Sequence, residues 1–361
     1  MRTLVISSLT ALTLLAGTSK ATEAPLAPTA TGVSPGTPMR VPRAAHGATL
    51  LRNGRVLITG GMRADEQPLA SAEVYDRRMR RFLRTGSLTT RRVGHAALRL
   101  RSGRVLVVGG WGGSARLASA EVYDPGTGRF RRTGSMAEPR GGGAATALAD
   151  GRVLVTGGPG SSAEVYDPAT GRFGATGAMG AQRVAHTATL LRDGRVLVTG
   201  GSNASGVLAA AELYDPRTGR FTPTGALTVP RHKHTARRLP DGRVLIAGGS
   251  NDRDWQGRYA STEIYDPARG TFAPAAPMAA QRFKLDEATA VLRDGRIVLA
   301  GGSTRVEAYD PRRETFTALR GSLDAPRFFS TATLLQDGSV LIAGGYDPGI
   351  RPTNRTWLLR P

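Results

Sequence analysis

Four of the five histidines in the chain occupy one position, fourteen residues before a recurring Gly-Gly doublet: His46, His95, His186 and His234. Elsewhere the same position holds Gly143, Glu287 and Ser330. Three residues earlier a basic residue recurs as Arg43, Arg92, Arg140, Arg183, Arg231 and Arg327, with Arg282 in one irregular copy. Imidazoles at such a spacing could bind an anion, a sugar hydroxyl or a metal. The guanidiniums could instead bridge neighbouring structural units through bidentate bonds to carboxylates. Partners for that second role recur as Glu73, Glu121, Glu164, Glu212, Glu263 and Glu307, and six carboxylates against seven basic residues favour structural pairing. In the irregular copy, counting forward from Met278 reaches Arg282, whereas counting back from Gly301 reaches Lys284. A two-residue insertion within Phe283-Lys284-Leu285-Asp286 is therefore expected.

A second candidate chemistry lies in the longest loop, residues 250–262, which carries Asp252, Asp254, Trp255, Arg258 and Tyr259. Aromatic faces beside charged groups suit a sugar ring or a peptide side chain. Asp252-x-Asp254-x-Gln256-Gly257 has the opening of a calcium loop, but glutamine takes the third ligand position. His232-Lys233-His234 puts two imidazoles on one strand face with no evident third ligand. No metal site or cofactor is predicted, calcium or another channel metal being the residual alternative.

The elements that position these groups come from an internal repeat. Doublets begin at Gly60, Gly109, Gly157, Gly200, Gly248, Gly301 and Gly344, a mean spacing of about 47 residues. Each follows a short apolar run entered through a turn, as in Asp193-Gly194 before Val196-Leu197-Val198. A variable loop follows the doublet, then a strand such as Ala211-Glu212-Leu213-Tyr214 closed by Asp215-Pro216, then an outer strand opening on Gly219-Arg220-Phe221. Four short strands per repeat describe one blade of a propeller, so the fold class is all-β. The seventh copy stops at Trp357-Leu358-Leu359-Arg360-Pro361, before its outer strand. Residues 31–39 align with 171–179, so the N-terminal segment is expected to supply that strand and close the ring.

This pattern resembles the kelch repeat over residues 31–361: the doublet, a tyrosine after the variable loop (Tyr75, Tyr123, Tyr166, Tyr214, Tyr265, Tyr309) and an outer aromatic (Phe82, Phe130, Phe173, Phe221, Phe272, Phe316). Kelch outer strands more often carry tryptophan there. The resemblance implies a seven-bladed kelch β-propeller of four antiparallel strands per blade, with the tight Asp-Gly and Asp-Pro turns on one face and the variable loops on the other. Removing the repeat positions leaves Trp111, Trp255, Tyr259, Tyr346, Phe283, Phe328 and Phe329, all in loops after a doublet or at the start of inner strands. The variable face and channel mouth are thus the expected site, with Trp111, Asp252, Asp254, Trp255, Arg258, Tyr259, Tyr346 and Phe328 as ligand-binding candidates. His46, His95, His186, His234, Glu287, Ser330 and Arg231 are the channel-mouth candidates.

Composition narrows the function. The 361 residues contain no cysteine, which excludes disulfides, thiolate metal sites, iron–sulfur clusters and cysteine nucleophiles. Residues 1–21 read as an export signal and 22–30 as a linker, which predicts a secreted or periplasmic protein without a membrane span. The expected function is an exported binding propeller, a monomer presenting its loops to a glycan, peptide or protein. Resemblance to the central domain of galactose oxidase and to sialic-acid mutarotases implies a carbohydrate-active enzyme as the alternative. The oxidase's tyrosine–cysteine crosslink cannot form without cysteine, whereas a His/Arg/Glu site around Glu287 could transfer protons. A third possibility uses the net charge of +21, carried by 46 arginines and only three lysines, Lys20, Lys233 and Lys284, to bind a polyanion. Arginines spread evenly around a ring make a poor groove, so nucleic acid is not the expected partner.

Overall fold

The computed structural model describes residues 31–361. The expected signal peptide and linker lie outside the described residues. Seven four-stranded antiparallel sheets form the blades of a propeller, and one two-stranded hairpin (Ser202–Asn203 with Gly206–Val207) decorates blade four. Blade one shows the common plan: Gly47–Leu50 innermost, then Val56–Thr59, Ala72–Asp76 and the outer strand Arg81–Arg84.

Burial follows radial position. The second strand, Val56-Leu57-Ile58-Thr59, is buried at every residue because both faces of the blade pack against neighbours, so its sequence is a continuous apolar run. The outer strand buries Phe82 and leaves Arg81 and Arg84 in water. Tyr75 and Phe82 lie directly opposite each other on adjacent strands, with ring centroids 4.9 Å apart. Equivalent pairs recur through Tyr309–Phe316 at 5.0 Å. Each buried phenylalanine contributes about 2 kcal/mol. Tyrosine hydroxyls also tie blades together: Tyr123 meets Thr85 of blade one at 2.7 Å, and Tyr166 meets Thr133 of blade two at 2.9 Å. Blade five carries Ala275 where blades one to four have that threonine, and the Tyr309 hydroxyl is left without a partner.

The ring closes as the alignment requires. Gly32–Pro35 pairs antiparallel with Thr356–Arg360, Val33 opposite Leu359, so N- and C-terminal strands share blade seven. Trp357 stands where other blades place glutamate, opposite Ile342. Arg327 accordingly turns to Asp324 at 2.7 Å and lies 5.8 Å over the Trp357 ring.

Candidate functional site

The basic residues that recur before each inner strand are buried inside their blades. Arg43 donates to the Gly60 carbonyl at 2.7 Å, to the Ser71 carbonyl and to Glu73 at 2.9 Å. Glu73 also accepts the backbone N–H groups of Arg40 and Val41. The set repeats at Arg92–Glu121, Arg140–Glu164, Arg183–Glu212, Arg231–Glu263 and Arg282–Glu307, at 2.6–3.0 Å. Each pair therefore ties a blade's entry segment to its own doublet and third strand, rather than bridging blades. Arg231, expected at the channel mouth, is fully buried in this network and does not line the channel cavity.

Bridging falls to the histidines. Nε2 of His95 meets Thr59 of blade one at 2.9 Å, and Nε2 of His46 meets Thr331 of blade seven at 3.1 Å. His186 and His234 meet Thr156 and Thr187 in the same way. Each ring also lies over a doublet glycine of the preceding blade: a Cβ on Gly60 would stand 2.8 Å from the His95 ring. Burial, reinforced by neighbouring arginines, holds all four imidazoles neutral, with His95 and His186 lowered to about 3. They edge the channel but spend one ring nitrogen on the neighbouring blade.

Blade six corrects the register. Leu285, not Glu287, takes the histidine place, its side chain 2.9 Å from where a Cβ on Gly248 would be. Ala288 bonds to Ala300 as the inner strand begins. Asp286 and Glu287 are the two inserted residues, one step later than expected, in a 3-10 turn over Asp286–Ala288. Counting back from the doublet crosses the insertion and lands on Glu287. Its side chain is exposed to the channel cavity yet walled by the surrounding blades. Enclosure and the adjacent Asp286 push its carboxyl up to about 7, against the lowering influence of Arg237. Arg237 donates to the Asp286 carboxylate at 2.8 Å.

Immediately before each of these positions the chain takes a left-handed conformation, at Ala45, Gly94, Gly142, Ala185, Lys233, Lys284 and Phe329. This turns each N–H towards the adjacent blade, and six of the seven steps carry a backbone bond, such as Lys284 N–H to Lys233 O at 2.8 Å. The result is a belt around the mouth. Each non-glycine residue in it costs about 1–2 kcal/mol of local strain. Two belt positions are lysines on adjacent blades. Lys233 reaches Asp254 at 2.7 Å, while Lys284 donates to the Tyr346 hydroxyl at 2.8 Å and stands 3.8 Å from Asp254. Burial lowers both ammonium pKa values, against the raising effect of Asp254. Burial works against the Asp254 carboxylate too, but Lys233, Lys284 and His232 outweigh it and hold its pKa low. Burial pushes the Tyr346 hydroxyl up to about 12, so it stays protonated.

These groups border a cavity of about 760 Å³ that runs from the mouth into the channel. One wall is small-residue backbone, including Gly94, Gly141, Gly142, Gly143 and Ala185; the other carries Lys233, Lys284, Arg237, Glu287, Phe329 and Tyr346. Trp111 lies across Gly141, beneath Arg116 at 4.8 Å, and lines the cavity. Ser330 lines it as well, fully buried against the Arg327 carbonyl.

Other expected site residues are placed differently. Phe328 is completely buried, because the left-handed turn at Phe329 sends Phe329 rather than Phe328 to the cavity. It supports Trp255, whose ring is 4.9 Å away and 38% exposed. Arg258 covers Trp255 at 4.5 Å, and Tyr259 lies against the buried Arg231 at 5.4 Å. Asp252 is exposed on the loop's outer side, and Asp254 faces two ammonium groups, which does not make a calcium cage. Sequence reasoning missed Lys233 and Lys284 as site residues, and Arg237 with them. The available signal was the scarcity of lysine: two of three fall on one repeat position.

The Kelch motif model matches residues 91–137, one repeat of the seven. No characterised protein matches the chain by sequence. Among solved structures it is similar to a fungal alcohol oxidase of the AA5 family, in complex with copper. The two are 18% identical, with a TM-score of 0.75, over 92% of this chain and 76% of that one, a likeness of fold. The donors here do not fit copper of that kind. The chain has no cysteine, the Nε2 atoms of His46, His95, His186 and His234 are bonded to threonines, and among the described residues no three His, Asp or Glu side chains converge. Among the described residues, no helix is long and apolar enough to cross a membrane.

Proposed function

From the premise that the chain is a seven-bladed kelch-repeat propeller, we propose that it is a binding protein whose channel mouth takes a small ligand: a sugar unit or a peptide side chain. The observation that carries this reading is the cavity of about 760 Å³, in the size range of small-molecule sites, with Lys233, Lys284, Glu287, Phe329 and Tyr346 on one wall and Trp111 beside the glycines of the other. Lys233 and Lys284 offer donors to ligand oxygens, Trp111, Tyr346 and Phe329 offer ring faces, and the glycine wall leaves the room. With residues 1–21 read as an export signal, the ligand would be met outside the cytoplasm. A glycan and peptide array, probed with the wild type and Lys284→Met, tests it. Signals lost in the variant support mouth binding; signals unchanged by it contradict the site.

One observation favours a second reading as a sugar-directed acid–base enzyme. Glu287 lines the channel cavity with a carboxyl raised to about 7, suited to proton transfer near neutral pH. Anomeric exchange of free sugars, followed by NMR, would be accelerated by the wild type and not by Glu287→Gln; no acceleration by either retires this reading.

A further inference from the structure

The arginines are not evenly spent. On the tight-turn face several are neutralised locally: Arg195 by Asp193 at 2.7 Å, Arg296 by Asp294 at 2.7 Å, Arg217 by Asp215 at 3.1 Å. In blade one this fails. Its turn reads Asp76-Arg77-Arg78-Met79-Arg80-Arg81, without the proline and glycine of Asp124-Pro125-Gly126-Thr127-Gly128. Asp76 is buried and taken by Arg55 at 2.9 Å, and Arg77 goes to Asp337. Arg78, Arg80, Arg81 and Arg84 are exposed with no carboxylate within 4 Å among the described residues. The outer strand of blade two, Arg129–Arg132, adds Arg129, Arg131 and Arg132, also exposed and without an ion-pair partner there. Blades three and four each place one arginine on the corresponding strand.

Two further observations mark this corner. Arg80 adopts φ 49°, where blades two to five have glycine at φ 67–70°. A charged side chain is thus held in a conformation that disfavours it. Met79, between Arg78 and Arg80 at the tip, is 54% exposed, among the few large apolar side chains left in water.

We propose that this corner, on the face opposite the variable loops, docks on an anionic lipid surface, with the arginines on headgroup phosphates and Met79 entering the acyl boundary. The methionine selects lipid over a soluble polyanion, which gains little from an apolar tip. Nucleic acid is disfavoured because the patch has no aromatic side chain on which bases could stack.

Co-sedimentation with vesicles of phosphatidylcholine alone, or with roughly one third phosphatidylglycerol, tests this at low and high salt. The wild type should sediment only with the phosphatidylglycerol vesicles and be released by salt. The triple variant Arg78→Ser, Arg80→Gly, Arg81→Ser should bind about tenfold more weakly or worse. Arg80→Gly restores the glycine that blades two to five have there, so its Tm should hold or rise. Met79→Ser should weaken vesicle binding a few-fold while leaving heparin retention unchanged. Absence of phosphatidylglycerol dependence, or a triple variant that binds like the wild type, overturns the proposal. Vesicle binding untouched by Met79→Ser overturns it in favour of a soluble polyanion.

Discussion

The buried arginines and the two mouth lysines carry the same charge under opposite circumstances. Arg92 is fully buried, bonded to two backbone carbonyls, a hydroxyl and Glu121, and six of the seven blades repeat its carboxylate pairing. Lys233 and Lys284 occupy only two of seven equivalent positions, border a cavity and share one carboxylate between two ammonium groups. Arginine's planar fork satisfies several fixed acceptors at once, whereas lysine offers a compact, rotatable charge that can be redirected to a ligand. The repeating arginines hold the blades together, and the lysines that break the repeat at the mouth face the channel.

Interventions on the repeating side should show in stability, beginning with the largest. Deleting residues 31–39 removes the outer strand of blade seven and buried Met39, and is expected to abolish the single cooperative melt seen by circular dichroism. Arg92→Met leaves Glu121 charged and unpaired in the blade interior; a loss of about 3–5 kcal/mol in urea unfolding is expected. Lys284→Met, by contrast, should leave unfolding within about 1 kcal/mol of the wild type while removing ligand binding. If Arg92→Met were benign or Lys284→Met strongly destabilising, the division of roles would fail.

The histidines give a finer test through pH. Their folded-state pKa values lie below the unfolded value, so between roughly pH 6.5 and 3 the unfolded chain binds more protons. Their contribution is therefore fully present above about pH 6.5 and lost on acidification. His95→Leu with His186→Leu, copying the residue blade six already uses at 285, should flatten the stability loss between about pH 6 and 4. At neutral pH it should cost about 1 kcal/mol for each threonine left without its imidazole partner.

The scaffold was legible because a propeller blade writes each strand into sequence: a continuous apolar run for the doubly packed strand, a tyrosine opposite a phenylalanine, a glycine doublet. Even the closing strand followed, since Val33 aligns with Phe173 and both sit opposite the same position of their third strands. The site was less legible for two physical reasons. The belt of left-handed residues is set by blade-to-blade backbone bonds, and Ala45, Ala185 and Phe329 carry no sequence mark of that conformation. It reverses which of Phe328 and Phe329 faces the cavity. The insertion at Asp286 and Glu287 shifts any count made across it, hiding Leu285 as the histidine's substitute and making Glu287 look like a repeat position. The charge departs from an even ring because pairing depends on where each aspartate points, and the arginines crowded on the blade-one turn outnumber the carboxylates there.

The most direct test of the division between scaffold and mouth is an array of glycans and peptides probed with the wild type and with Lys233→Met, Lys284→Met together, at matched melting temperature. The structure predicts that ligands retained by the wild type are lost by the double variant with its Tm unchanged. Retention of the same ligands by both proteins would contradict it.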